Sequence, residues 1–351
     1  MVVLKASNEP CKGCGGNLRF DPKTQNLVCE KCGRRETFAK TKIIAKRKIS
    51  DIGKNQDKYK EWIAKNKLIE CASCGARIIL NNLEYSATCP YCGRSSVSLS
   101  SNLPGIDPDV VIPFAFDKEE AVKKFKEKVS KKFYVPRAFK KKNNSGNVAG
   151  IYIPSFIFEA KSYSSYEGLL LRQESYTSNG KTYTRTVVFP IAGTKNLHHD
   201  DIMIEASSKV DQKQLSEILP YSNKECYDFK EDYIRGYVVE HYSTQPTECY
   251  HQAKDIMDKN IRRSILSDYS YSGVQTLNIR TTYRDEKFLY RVSPIYKFEY
   301  KYKNKAYQTI MNGQTGKLGG GLPKSKIKIA FTIIIPILIV LAIVLLINFL
   351  G

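Results

Sequence analysis

The chain has 351 residues, with 56 Lys/Arg against 35 Asp/Glu for a formal charge of +21. That length holds one sizeable core beside small accessory modules. The basic excess is dispersed along the chain, which favours general attraction to phosphates or anionic lipid over a dedicated nucleic-acid groove.

In chain order, Met-Val-Val-Leu-Lys is too short for the apolar region of a signal sequence, so none is expected at the N-terminus. Two cysteine quartets follow, Cys11, Cys14, Cys29 and Cys32, then Cys71, Cys74, Cys89 and Cys92. Both read C-x2-C-x14-C-x2-C. Two intervening residues let both thiolates of a pair reach one tetrahedral ion, and the glycine after each pair permits a tight knuckle at φ > 0. The gap has room for a hairpin that returns the second knuckle to the first. A disulfide framework or a redox dithiol fits four pairs in register poorly. The prediction is two zinc ribbons (1–38 and 71–100), each holding one structural Zn2+. Four cysteines leave no open coordination position, which argues against a catalytic metal. Modules this small take their folding free energy from the metal, so each ribbon is expected to fold apart from the distant core. With eight thiolates and two Zn2+ counted, residues 1–100 carry +6 and residues 101–351 carry +11. Reduced thiolates suit a cytosolic location. Cys226 and Cys249 stand apart and read as free, buried thiols.

Residues 39–70 form a basic linker, with Lys40, Lys42, Lys46, Arg47 and Lys48 ahead of a helical run at 57–68 that includes Trp62, Ile63 and Leu68. The loop 101–109 marks a boundary. Asp117 and Glu120 have the spacing of a helix N-cap, with Val122, Phe125 and Val129 on one stripe to about Phe133. The lysines of that helix form a solvated face or lie against anionic lipid. A short helix spans 211–219, and a longer one 247–266 carries Tyr250, Ala253, Met257, Ile261 and Ile265, with Thr244 and Pro246 at its start. Runs at 150–171, 181–191, 201–207 and 234–243 read as separate strands, and 274–312 as a meander of about four, with a turn at Lys303-Asn304-Lys305. Tyr/Lys alternation in this block fits a half-buried sheet better than a base-stacking platform. The fold class is therefore α+β, with one strand-rich domain at 110–320.

From Ile329 to Leu350, 22 residues carry no charge. As a helix they span about 33 Å, enough for a hydrocarbon core of about 30 Å, and a membrane helix tolerates Pro336. A single-pass anchor at 327–350 is expected. Lys317, Lys324, Lys326 and Lys328 on its N-terminal side place the bulk of the chain in the cytoplasm, at the cell membrane.

No catalytic residues are expected. His198, His199, Asp200 and Asp201 cluster between strand-like runs and read as a polar turn. His241 and His251 lack a catalytic partner, and Gly313-Gln-Thr-Gly316-Lys317 is too short for a phosphate loop. The segments Val111-Ile-Pro-Phe-Ala-Phe-Asp, Gly150-Ile-Tyr-Ile-Pro-Ser-Phe, Tyr296-Lys-Phe-Glu-Tyr-Lys-Tyr-Lys-Asn-Lys-Ala-Tyr and Asn312-Gly-Gln-Thr-Gly-Lys, with the quartets, resemble the bacterial TFIIB-type zinc-ribbon proteins that carry a C-terminal membrane anchor. These are often mislabelled replication factor Y or superfamily II helicase; the missing phosphate loop contradicts the helicase label here. The resemblance implies an envelope-stress function beside PspA-like or SPFH-domain proteins. The functional expectation is a non-enzymatic, membrane-anchored adaptor for partner proteins. The alternative is a membrane-tethered nucleic-acid-binding protein using the ribbons and the basic 40–48 arm.

Overall fold

The computed structural model describes residues 10–42, 45–52, 54, 66–81, 89–92, 97–99, 105–141 and 146–350. Trp62, Ile63 and most of the predicted 57–68 helix lie outside them, as do residues 101–104 of the boundary loop. Asn66–Leu68, placed in that helix from the sequence, instead open a strand. The class is α+β. The first module holds β1 (Leu18–Asp21), β2 (Asn26–Cys29) and β3 (Arg35–Glu36) in a three-stranded sheet of order β1-β2-β3. All remaining described strands join one twelve-stranded sheet.

That sheet is built on two long strands, β9 (Asn147–Ser178) and β13 (Gly273–Tyr302), paired antiparallel over nearly their whole length. The outer edge of β13 is taken in turn by β4 (Arg47–Lys48), β8 (Val110–Val111) and β14 (Lys305–Asn312). The outer edge of β9 takes β12 (Val238–Glu240) and then β10 (Lys181–Glu205). The runs read as separate strands at 181–191 and 201–207 are one strand, and the four-stranded meander at 274–312 is two. Polar and small residues inside these runs look like breaks in the sequence, yet they are tolerated mid-strand. Ser162 Oγ meets His199 Nε2 at 2.9 Å, and Ser164 Oγ meets Thr281 Oγ1 at 3.0 Å. The 234–243 run is strand only at Val238–Glu240.

Turn chemistry closes both hairpins. Asn179 and Gly180 (φ 51° and 71°) link β9 to β10, and Lys303 and Asn304 (φ 48° and 60°) link β13 to β14. Positive φ at both central residues gives the twist that antiparallel strands require.

Strand periodicity divides the core chemically. In the central part of β9, Tyr152, Phe156 and Phe158 point to one face, joined by Phe288, Tyr290, Tyr296 and Phe298 of β13. Ile151, Ile153 and Ile157 point to the other, with Leu289 and Ile295. The aromatic face receives α1 (Lys118–Lys131), whose Phe125 stacks on Phe298 at 4.4 Å, and α2 (Arg137–Lys141), whose Phe139 meets Tyr300 at 5.1 Å. The aliphatic face receives α3 (Gln212–Ile218) through Leu215 and Ile218. Asp117 caps α1 as predicted, its Oδ1 accepting from the Glu120 N–H at 2.9 Å. The long helix α4 (Pro246–Leu266) begins with Pro246 in its first turn after Gln245, and Thr244 does not cap it. Its Ala253, Met257, Ile261 and Ile265 are fully buried.

The segment 105–117 threads through this core with only two residues in a strand, so its backbone polar groups need other partners. Buried tyrosines supply several of them. Tyr242 Oη accepts from the Ile106 N–H at 3.1 Å, Tyr152 Oη accepts from Phe114 N–H at 3.3 Å, and Tyr296 Oη donates to the Phe116 carbonyl at 2.6 Å.

Beyond Leu171, where β13 ends its pairing, β9 and β10 continue as a two-stranded ribbon with no buried residue on either face from 172 to 187. Tyr176 stacks on Tyr183 at 5.6 Å, and Glu174 bridges Arg172 and Arg185. The last helix, α5 (Lys326–Leu350), leaves the body without being buried in it.

Tyr296→Phe keeps the ring packing and orphans the Phe116 carbonyl. Thermal unfolding should show a loss of about 1–3 kcal/mol; an unchanged midpoint would show that the hydroxyl is dispensable.

Candidate metal centres

Each quartet converges. In the first, Cys11 Sγ and Cys32 Sγ lie 3.6 Å apart and Cys14 Sγ and Cys29 Sγ 3.5 Å; in the second, Cys71–Cys92 and Cys74–Cys89 are 3.6 and 3.7 Å apart. Within each group the four sulfurs all lie within 4.8 Å of one another. A tetrahedral ion with sulfur bonds of about 2.3 Å needs edges of about 3.8 Å, whereas a disulfide needs about 2.05 Å. The donor set and spacing therefore fit one tetrahedral metal ion per quartet, and the ten cysteines are unbridged. The quartets are the eight cysteines that the sequence brings forward as metal ligands.

Local backbone geometry explains the convergence. The N–H groups of Gly15, Gly33 and Gly75 donate to the carbonyls of Cys11, Cys29 and Cys71 at 2.8, 2.9 and 2.7 Å. Each glycine has φ between 66° and 72°, the left-handed region that closes a knuckle. Backbone N–H groups of Cys32 and Lys31 hold the Cys29 thiol down to about 7, while burial pushes Cys89 up to about 12. A metal that takes all four sulfurs must expel the remaining protons, so affinity falls as pH drops.

The body grips both modules. In the first, Phe20 packs edge-on against Tyr233 at 5.6 Å, and Phe38 meets the same ring at 4.8 Å. Gln25 Nε2 donates to the Phe114 carbonyl at 2.8 Å, and Lys23 pairs with Asp117. The second module is continuous with the large sheet. β5 (Asn66–Cys71) lies between β6 (Arg77–Asn81) and β7 (Val97–Leu99), and β6 pairs with β12. Lys209 Nζ donates to the Cys74 carbonyl at 2.6 Å, while Lys297 Nζ donates to the Pro90 and Tyr91 carbonyls at 3.3 and 3.0 Å. Lys297 is only 2% exposed and also pairs with Glu299 at 2.6 Å. These ammonium groups stand beside a site that carries a net charge of about −2 when four thiolates hold a divalent ion, a favourable outer-shell arrangement.

Sequence reasoning missed this support. Tyr91 hydrogen-bonds to buried Glu240, whose oxygens also accept from Ser207 Oγ at 2.8 and 2.9 Å. Burial pushes Glu240 up to about 7. The available signal was a carboxylate inside the apolar Val238-Val239-Glu240 run. Glu205 is a second case. The residue is half-buried, but both carboxylate oxygens are shielded and lack a hydrogen-bond partner, and burial pushes its pKa up to about 7.

The predicted polar turn at 198–201 is instead a bulge within β10, with a register shift between His199 and Ile202 and Asp201 at φ 54°. The two histidines diverge: His198 Nε2 meets Glu159 at 3.3 Å, and buried His199 meets Ser162. His241 is buried with Nδ1 on the Tyr242 carbonyl at 3.0 Å, and burial lowers it to about 4. Cys226 and Cys249 are buried free thiols, pushed by burial up to about 11 and about 12.

Fold and sites together define a protein with two closed four-cysteine centres built onto a long-stranded sheet, and one exposed apolar helix. The chain is similar to the uncharacterized protein YdjG of Bacillus subtilis (strain 168), 30% identical over 326 residues and covering 91% of each chain. It belongs to the YdjG family. No protein-family profile matches it, and no solved structure does.

Purified protein should hold two metal ions per chain, and Cys14→Ser or Cys74→Ser should each release one by elemental analysis under reducing conditions. Because β6 pairs with β12 and Phe20 packs on Tyr233, both variants should also lower the unfolding temperature of the whole body. One ion or none in the parent protein contradicts the first expectation, and an unchanged transition contradicts the second.

Glu205→Gln tests the shielded carboxylate. Its folded pKa lies above the unfolded value of about 4.5, so stability is fully present below pH 4.5 and is lost as pH rises toward 7. The variant should match the parent near pH 4.5 and exceed it at pH 8 by up to about 3 kcal/mol. Parallel stability profiles from pH 4.5 to 8 would show that Glu205 does not titrate this way.

Proposed function

We propose that this protein is a non-enzymatic adaptor with two structural Zn2+ ions, held on the cytoplasmic face of the cell membrane by a single span of α5. Its role is to position partner proteins in envelope stress or membrane organisation, with PspA-like or SPFH-domain proteins as the candidates that the sequence resemblance suggests. The observation that carries this reading is the use made of the metal centres. Both are closed four-cysteine sets wedged against one body, and that body adjoins α5, whose stretch Lys326–Ile347 is apolar enough and long enough to cross a membrane and is not buried in the body. Closed sites stiffen a surface and offer no position to a substrate. The bare ribbon at 172–187 extends roughly 25 Å beyond the body and suits a protein contact. The lysines at 324–328 favour the cytoplasmic orientation.

The nucleic-acid alternative is weakened by where the basic 40–48 arm goes. Lys42 Nζ donates to the Lys224 carbonyl at 2.6 Å, Lys46 pairs with Glu159 and Asp200 at 2.6 and 2.7 Å, and Arg47 pairs with Asp107 and Asp109. Tyr296 and Tyr300 of the Tyr/Lys block are buried in the sheet, so their faces are not open to bases.

Removing 327–351 should release a soluble fragment whose DNA binding is weak and vanishes near physiological salt. In native membranes, crosslinking with the intact protein should trap a partner that is lost when the 172–187 ribbon is shortened. Sequence-selective DNA binding that persists at roughly 150–200 mM salt would overturn the adaptor reading.

A further inference from the structure

Where α5 leaves the body, the connector between α1 and α2 is fastened to its first turn. Lys328 Nζ donates to the Phe133 carbonyl at 2.7 Å and the Val135 carbonyl at 3.2 Å, and the Ser325 N–H donates to the Tyr134 carbonyl at 2.8 Å. Val135 is buried beneath this junction. Phe133 and Tyr134 are not: they are 62% and 42% exposed, with rings edge-to-face at 5.3 Å. Two adjacent aromatic rings are thus held in the open at the level where the apolar helix begins.

Their surroundings are predominantly basic, with Glu127, six residues before Phe133, paired to Lys131 at 2.7 Å. Lys131, Lys132, Arg137 and Lys141 are exposed within eight residues of the pair, and Lys324 and Lys326 precede the span. No Asp or Glu occurs from 128 to 141 or from 317 to 350. Exposed aromatics flanked by lysine and arginine match the interfacial zone of a bilayer, where rings sit at headgroup depth and cations meet anionic lipid.

We propose that Phe133 and Tyr134 insert into the interface of the bilayer that α5 crosses, while Lys131, Lys132, Arg137 and Lys141 bind anionic headgroups. The proposal rests on α5 being a membrane span. It gives the body a second point of contact, so the sheet is held at a fixed attitude to the membrane instead of swinging on the end of α5. Two features identify the occupant as an anionic bilayer surface: continuity with the span through the Lys328 bonds, and charge complementarity. Lipid docking also explains why the apolar pair stands beside the span.

The test uses full-length Phe133→Trp and Tyr134→Trp proteins reconstituted into phosphatidylcholine vesicles with or without phosphatidylglycerol, subtracting the Trp62 signal of the parent. Lipids brominated near the headgroup end of the acyl chain should quench the added emission, and aqueous iodide should not. Phosphatidylglycerol should strengthen the lipid quenching. A basic side chain near an anionic surface is worth roughly a fivefold change in contact occupancy. Reversing all four with Lys131→Glu, Lys132→Glu, Arg137→Glu and Lys141→Glu should therefore abolish the phosphatidylglycerol effect. If the protein floats with the vesicles but both reporters are quenched by iodide and not by lipid, the docked edge is overturned while the anchor stands. If the protein does not float with vesicles, the anchor and the docked edge fall together.

Discussion

The pairing of β9 with β13 runs from Asn147 opposite Glu299 to Leu171 opposite Gly273, and the rest of the architecture depends on it. Along it the environment changes twice. Near residues 151–158 both faces of β9 are buried, aromatic on one side and aliphatic on the other, which is why Ile151-Tyr-Ile-Pro-Ser-Phe-Ile-Phe158 reads as a continuous apolar run. Farther out, α4 lies along the strands; Tyr283 to Asp258 fastens the helix there, and Lys195 to Asp268 and Tyr166 to Tyr269 fasten the turn that follows it. Beyond Leu171 none of the described residues buries the ribbon. Register is therefore set in the doubly buried stretch, where a slip of one residue would exchange the aromatic and aliphatic faces.

The metal modules occupy different positions on this frame. The first presses Phe20 and Phe38 into the aromatic face beside Tyr233, and the second extends the sheet through β6. The expectation of ribbons folding apart from a distant core came from their size. The structure supplies the missing surface from the body instead, through Tyr91, Lys209 and Lys297. A metal bound at either quartet would add short coordinate bonds to the dispersed packing that already holds the module on the body.

The cysteine quartets, the cap at Asp117, the apolar stripe of α4 and the apolar α5 were all legible in the sequence, because each depends on spacing within one element. Strand length was not. Ser162, Ser164, Gly168 and Gly193 resemble punctuation, but cross-strand partners and the packed α4 make them compatible with a strand interior. The partners of Glu240 and Lys297 were illegible for a related reason: they lie 149 and 206 residues away, in the second module. The buried tyrosine hydroxyls serving 105–117 also belong to this class, since nothing local distinguishes them from phenylalanine.

The uncovered end of the β9–β10 hairpin has an evolutionary consequence. With neither face contributing to a core, substitutions from 172 to 187 escape the packing constraint that restricts the rest of the strands. The Asn179-Gly180 turn still fixes which residues face one another. Lengthening both legs by two residues adds a rung and preserves the pattern of faces, whereas an odd change inverts every side chain beyond it. The reach and chemistry of the tip can thus vary in discrete steps while the sheet, the cysteine quartets and the junction with α5 stay unchanged.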